Sequence, residues 1–457
     1  MTKKFRRYDQ NQTLLLPPDI RDWIPEGHLA LFVSDTVDEL DLSEIYDYYD
    51  EDRGNPPYDP LMMTKVLTYA YCIGKASSRK IEKSIVDDVP FRYLAAGNFP
   101  DFRTISDFRK RHLTRLARLF VQVLRMCQEV GLVKLGKVSL DGMKMGANAS
   151  LDNNRDYESL CKEEKELERL IEEALKKAIE IDEAEDNIYG KDKRGDELPD
   201  GLRNRKERKE RLRKAREDLE RRQKELHDKY ETHMKERAKT EAETGKKIRG
   251  RKPNEVPKEP DNDTKRNTTD PESRIMKARQ GILQGYNAQI AVDAESQVIV
   301  AHDVVQDEND FHQLPAMLKK IKENLGRLPD MLMADAGYWC EEEIRKFIDD
   351  VDLYIATLKD WKQRKALRDG PPPVGRIPKN LSLRDRMERK LLTKQGRRIY
   401  KMRGKTVEPV NGQIKDARGF RRFLLRGLEK VKGEFALIAA TSNILKLWRH
   451  ANKAASG

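Results

Sequence analysis

Cysteine is scarce in this chain. The four present, Cys72, Cys127, Cys161 and Cys340, stand far apart with no CxxC pair and no Cys/His module spacing, so the sequence indicates neither a disulfide framework nor a zinc site. That usage fits a reducing compartment. Long apolar runs are missing too. No stretch approaches the roughly 18 uncharged residues of a membrane helix, and the opening MTKKFRRYDQ lacks the apolar segment of a secretory signal. The expected location is the cytoplasm, in association with the nucleoid. Histidines are few, seven in all, and none is spaced as a catalytic pair; His112, inside the basic FRKRH, reads as a surface or DNA-facing residue.

Charge is abundant instead. Of 457 residues 37% are charged and 37% apolar, with a formal net charge of +12 and a pI near 9.2. That apolar share fills one sizeable core rather than three, and the positive excess points to a polyanionic partner, nucleic acid first. A soluble basic protein with long charged helices is the plainer alternative.

Residues from about 20 to 130 read as short helices. In YDPLMMTKVLTYAYCIG, Asp59 is placed to cap, Pro60 to open and Gly74 to stop a core helix. ASSRKIEKSIVDDVPFRYLAAG and TISDFRKRHLTRLARLFVQVLRMCQEVG follow, with Ser77 or Ser78 and Thr104 as expected caps. Such helices either present a helix-turn-helix to a DNA groove or form a plain bundle with solvated Arg and Lys. Two long amphipathic helices come next, with apolar seams at Leu160, Leu167, Ile171, Ala174, Ala178 and Ile181, and at Leu212, Ala215, Leu219, Leu226 and Tyr230. The polar loop between them lets them fold back as an antiparallel pair. The Pro- and Lys-rich stretch from Glu241 to Arg274 reads as a poorly ordered tether or basic arm. Strand signals then appear in GYNAQIAVD, QVIVAHDVV, MLMAD and VDLYIATL, among helical HQLPAMLKKIKENLG and CEEEIRKFIDD. With KVSLDGMKM ahead of the charged insertion, these elements make an α/β layer architecture with a mixed sheet.

Three acidic residues carry the chemistry: Asp141 and Asp335 at the ends of apolar strand-like runs, and Glu408 opening an expected helix. Two divalent ions held roughly 4 Å apart by shared carboxylates activate an attacking oxygen and stabilise a leaving one in displacement at phosphorus, and Mg²⁺ takes hard oxygen ligands. Tyr400, Arg403, Glu408 and Lys415 occur as Y-x2-R-x4-E-x6-K, with Glu408 and Lys415 two turns apart on one helix face. Lys415 and Arg403 are then placed for phosphates, and Tyr400 for a hydroxyl contact or stacking. Trp339 and Trp361 are candidates for stacking or for packing. Asp293, Asp303 and Asp310 stay outside the metal set, Asp310 as an expected cap of HQLPAMLKKIKENLG.

LDGMKMGANAS, GYNAQIAVD, ADAGYW and the Tyr/Arg/Glu/Lys signature resemble, in order, the landmarks of the DDE transposases of bacterial insertion sequences, and YDPLMMTKVLTYAYCIGKASSRKIE with PDFRTISDFRKRH resembles their helical domain. The resemblance spans about Arg21 to Lys446. It implies an RNase H-like core at 131–457, interrupted at 151–274 by a helical-hairpin (coiled-coil) insertion and basic linker, behind an N-terminal helical DNA-binding domain at 1–130. It further implies Asp141, Asp335 and Glu408 as catalytic metal ligands for two Mg²⁺ ions, with Mn²⁺ as substitute, and Tyr400, Arg403 and Lys415 on the transposon end. The expected partners are double-stranded DNA, as inverted-repeat ends and target, and a second copy of the chain in a homodimer on DNA. The expected reaction is cleavage at transposon ends and transfer of the 3′-hydroxyl to target DNA. An endonuclease of the same fold that only hydrolyses, and a non-catalytic DNA-binding or assembly protein, are the alternatives. The chain departs from the usual signature in having four residues, Gly404 to Val407, between Arg and Glu instead of three, and Met143 stands where a small hydroxyl residue is usual.

Overall fold

The computed structural model describes residues 19–49, 56–189, 200–244, 253–278, 281–378 and 380–456. Its N-terminal part is helical: α1 (Leu29–Asp38), α2 (Ser43–Tyr46), α3 (Pro60–Cys72), α4 (Ser78–Asp87), α5 (Val89–Leu94), α6 (Phe102–Arg111) and α7 (Leu113–Glu129). Helix α3 begins as its sequence dictates, the Asp59 carboxylate accepting from the amides of Leu61 and Met62 ahead of Pro60, a cap worth about 1 kcal/mol. The cap of α6 is Asp101, which accepts from the Thr104 amide; the expected Thr104 is the receiving residue because its amide is one of the unpaired donors of the first turn. His112 is not on the surface. It is fully buried among Tyr48, Tyr49 and Phe108, with Nε2 3.0 Å from the Tyr49 hydroxyl.

A mixed sheet follows. Strand β1 (Lys137–Gly146) leads to the short β2 (Asn154–Asp156), then to helices α8 (Tyr157–Tyr189) and α9 (Asp200–Thr244) and the short β3 (Lys265–Asn267). The chain returns through β4 (Arg274–Ala278), β5 (Gly281–Asp293) and β6 (Ile299–Val305), then α10 (Leu314–Leu325), β7 (Met331–Ala334), α11 (Glu341–Phe347) and β8 (Asp352–Ile355). The last elements are α12 (Asp360–Asp369), α13 (Leu383–Leu392), α14 (Lys394–Gly412) and α15 (Leu428–Ser456). Across the sheet the order is β6-β5-β1-β7-β8, with β4 pairing the first half of β5. β1 and β6 run antiparallel to β5, whereas β7 is parallel to β1 and β8 to β7. Ten successive residues of β5, from Gln284 to Asp293, are buried, as a strand covered on both faces requires. Asn443 of α15 ties down the first residue of β6, its side chain bonding both the amide and the carbonyl of Ile299.

One buried apolar cluster runs from Leu29 to Leu447 through both the helical part and the sheet. The long helix α15 packs on α7, α3 and β6 and so joins the two. Arg418 completes the joint: fully inside, it donates to the Tyr71 carbonyl of α3 and to Ser442 and Thr441 of α15. Gly74 makes room, since its φ is +78° and a Cβ there would stand 2.2 Å from the Arg418 carbonyl oxygen.

β2 and β3 pair antiparallel and clasp the two ends of the charged insertion. Helices α8 and α9 run antiparallel, shown by the cross-pairs Glu168 with Lys209, Glu164 with Arg216, and Tyr157 with Glu220. Their packed seam consists of Leu160, Leu167, Leu212, Ala215 and Leu219, with Ile171 also buried. Leu226 is 45% exposed, so the expected seam stops short of it on α9; the side chains of Ala178 and Ile181 lie outside the described residues. The stretch expected to be a tether is anchored in its second half, where Arg266, Asn267, Asp270 and Ser273 are buried. Arg266 and Arg274 converge on Asp218 of α9 at 2.9 and 3.4 Å, fixing hairpin to sheet through charge that composition alone does not distinguish from solvated charge. The polar segment between β8 and the Tyr/Arg/Glu/Lys signature carries α12 and α13, the latter capped by Ser382. Among the described residues no helix is long and apolar enough to cross a membrane.

Two outcomes follow from this packing. Gly74→Ala forces an L-residue into left-handed backbone against a carbonyl, and urea unfolding should show a loss of at least about 1–2 kcal/mol. Burial holds the His112 imidazole down to about 4, with Arg115 and Arg111 adding to the effect. Above pH 6.5 the ring is neutral folded or unfolded; as pH falls from 6.5 towards 4 only the unfolded chain takes up the proton, so stability declines over that window. Between pH 7 and pH 5 His112→Phe should lose about 2 kcal/mol less stability than the parent chain, and equal losses in the two proteins would contradict the assignment.

Candidate active site

Asp141 lies in the middle of β1, opposite Ile290 of β5, rather than at a strand end. Its position is set by alternation: Leu140 on one side is fully buried and Gly142 on the other has no side chain. The carboxylate faces α14, where Arg403 Nη1 stands 3.4 Å from Oδ1 and Asn411 Nδ2 donates to Oδ2 at 2.8 Å. Burial pushes the Asp141 carboxyl up to about 7; Arg403 opposes the rise, Asp335 and Asp310 add to it, and the Asn411 bond lowers it again. Asp335 follows the last residue of β7, next to β1 in parallel register, and caps a short turn by accepting from the Gly337 amide at 2.9 Å. The structure therefore brings Asp141 and Asp335 into electrostatic contact from positions remote along the chain.

Glu408 is placed differently from expectation. It does not open a helix but lies in the last turns of α14, and it is exposed. Its Oε1 rests over its own helix, 3.2 Å from where a Cβ on Gly404 would be. With four residues between Arg403 and Glu408, the two side chains project about 140° apart around the helix at 100° per residue, whereas three intervening residues would leave about 40°. Among the described residues Asp141, Asp335 and Glu408 do not lie with their oxygens all within 4.8 Å of one another. The helix passes through Pro409 without breaking, and the Lys405 carbonyl that the missing amide would have served accepts from Gln297 Nε2 at 3.1 Å.

Tyr400 and Arg403 are both buried. Arg403 is held on Asp141, so its contact in this structure is with a carboxylate rather than toward solvent. Beyond Gly412 the chain widens into a looser turn over Gln413–Ala417, which removes the simple two-turn relation of Glu408 and Lys415. Lys415 donates to the Lys144 carbonyl of β1 at 2.8 Å, and burial holds its ammonium below the usual range. Met143 is buried core. Trp339 is half-buried and packs against the core; the Trp361 side chain lies outside the described residues.

Several site residues escaped sequence reading. Asp310 does not cap α10, whose first turn follows Gln313. Its Oδ1 instead accepts from Asn287 Nδ2 at 2.8 Å and Gln289 Nε2 at 2.6 Å, both on β5. A Cβ on Gly142 would meet Asp310 Oδ1 at 2.0 Å, so glycine at that position admits the carboxylate. Because adjacent strand residues face opposite ways, Asp310 lies on the far side of β1 from Asp141. The Tyr338 hydroxyl, fully buried, donates to Gln289 Oε1, and its pKa is raised first by burial and then by Asp310, Asp141 and Asp335. The available signal was Asn287 and Gln289: two amides at alternate positions in an otherwise apolar strand, whose buried polar groups require partners.

The arrangement concentrates negative charge where the surroundings are poor in water, with one guanidinium against it. Hard oxygen donors of this kind suit a divalent ion of the Mg²⁺ class, and Asn411 Oδ1, beside Asp141, is buried without a hydrogen-bond partner, a further oxygen donor for a hydrated cation.

Residues 18–111 match the family described as Transposase domain (DUF772), and residues 255–444 match the family described as Transposase DDE domain. No curated protein and no solved structure matches the chain. The first match covers helices α1 to α6, and the second covers β3 to β8 and α14 with Asp335, Arg403, Glu408 and Lys415. On these two matches the chain belongs to the DDE transposases of insertion sequences.

Proposed function

We propose that this transposase cuts DNA at transposon ends and joins the freed 3′-hydroxyl to target DNA at the site formed by β1, β7 and α14. The observation that carries the reading is the pairing of half-buried Asp141 with Asp335 under a helix that also bears Glu408. In the first step a water oxygen bonds to phosphorus and the P–O3′ bond breaks. In the second the 3′-oxygen bonds to a target phosphorus and displaces a strand, so one in-line geometry serves both. Asp141, Asp335 and Glu408 would hold two Mg²⁺ ions, or Mn²⁺ in their place, and bound metal supplies an activated attacking oxygen and a stabilised leaving oxygen. Arg403 favours the ionised form of Asp141 and orients it, and Asn411 fixes its second oxygen. Asp310, behind the strand and held by two amides, sets the local field and the position of the Asp335 segment. Lys415 and the exposed Arg79, Lys80 and Lys83 of α4 and Arg103, Lys110 and Arg111 of α6 offer charge for DNA phosphates.

The strand order β6-β5-β1-β7-β8 and its directions support an RNase H-like core. They also support the division into a helical DNA-binding part at 1–130 and a catalytic part at 131–457, with α8 and α9 as a coiled-coil arm. A homodimer on paired ends, working at the nucleoid, completes the reading.

The test uses duplexes carrying the inverted repeats that border the coding region, with intact ends for cleavage and pre-cut ends for joining, in Mg²⁺. Asp141→Asn, Asp335→Asn and Glu408→Gln should each lose at least about 10³-fold in both steps, about 4 kcal/mol of barrier, while still binding the end. Asp310→Asn should keep measurable activity, because it touches no reacting group. Joining by none of the proteins, with cleavage intact, would reduce the function to hydrolysis. An active Glu408→Gln beside an inactive Asp310→Asn would transfer the third carboxylate role to Asp310.

A further inference from the structure

Outside the Asp141 site, one cluster joins three different metal-ligand types. His312 lies in the loop before α10, Cys340 immediately precedes α11, and Glu343 is in its first turn. A ring nitrogen, the thiol sulfur and a carboxylate oxygen of these residues all fall within 4.8 Å of one another. Cys340 is buried at 7% exposure, and the Glu343 side chain is 12% exposed. His312 reaches over from solvent in left-handed backbone, φ 67°, and sets Nδ1 2.6 Å from Glu343 Oε1. That pairing leaves the other carboxylate oxygen, Oε2, shut away from solvent with no hydrogen-bond partner. A buried carboxylate oxygen without a donor is costly, and a cation beside the thiol and the imidazole would satisfy it.

We propose that His312, Cys340 and Glu343 form a binding site for a zinc-class transition metal, separate from the magnesium-type carboxylates. The donor set decides the class: nitrogen, sulfur and oxygen together suit Zn²⁺ or Co²⁺, whereas Mg²⁺ takes oxygen ligands and does not select a thiolate. Three protein ligands leave a fourth position, and with the His312 side chain 62% exposed that position faces water. The placement gives the metal its purpose. The loop bearing His312 also bears Asp310, and the segment leading to Cys340 begins at Asp335, so one ion would fasten together the two stretches that carry these carboxylates. The ligands come from either side of α10 and β7, which is why cysteine spacing carried no sign of the site.

The experiment titrates Co²⁺ into metal-stripped full-length protein and follows the near-ultraviolet thiolate-to-cobalt charge-transfer band and the visible bands of tetrahedral cobalt. The parent chain should show both at about one equivalent, and Zn²⁺ should abolish them. Cys340→Ser should lose the charge-transfer band. His312→Gln, a change at an exposed residue that leaves the core intact, should weaken cobalt affinity at least about tenfold. Asp335→Asn should keep the band, separating this site from the catalytic carboxylates and from the fate of the transposase mechanism. Absence of a thiolate band in the parent chain, or equal cobalt affinity in His312→Gln, would overturn the proposal and leave a His–Glu ion pair beside a packed thiol.

Discussion

Setting Asp141 half-buried in the middle of a strand is the constraint around which the rest of the candidate site is organised. A carboxylate removed from water resists ionisation, and Asp335 and Asp310 nearby make its charge costlier still. The protein opposes this with Arg403 and Asn411 from one helix, and with two β5 amides that hold Asp310 behind the strand. Breaking such a group by removing one member leaves an uncompensated buried charge, so α14, β1 and β5 are bound to one another by electrostatics as well as by apolar packing. A site of this kind is poised for cations, because a bound metal relieves the same repulsion that crowding creates.

The helical part and the sheet share a single apolar cluster, and α15 with Arg418 seals them together. On the proposed reading, DNA held by α4 and α6 would be registered against the carboxylates by a joint packed within one core rather than by a tether. The α8/α9 hairpin is fastened in the same spirit, by the β2–β3 clasp and by Asp218 amid Arg266 and Arg274. Buried ion groups contribute modestly to stability but set geometry, which suits an arm that must keep its direction.

Much of this was legible along the chain. Periodicity placed the strands β5 to β8 and the helices α3, α10 and α11, because alternation and the 3.6-residue repeat are local properties. The Asp59 cap and the Gly74 stop were likewise local. Asp310 was not legible, because a carboxylate before a helix reads as a cap until the structure shows two amides of another strand reaching it. His112 looked exposed among arginines, yet aromatic rings from α6 and from the turn after α2 enclose it. The stretch near Arg266 looked solvated because composition does not show that a buried aspartate on α9 stands opposite.

The sequence by itself determined the order of the principal helices and strands, the basic character and the family, since each depends on residue type and spacing. Only the tertiary structure decided that Arg403 turns inward onto Asp141, that Asp310 meets two β5 amides, and that His312, Cys340 and Glu343 meet. Those relations depend on how segments distant along the chain approach one another in space, which the order of the amino acids alone does not state.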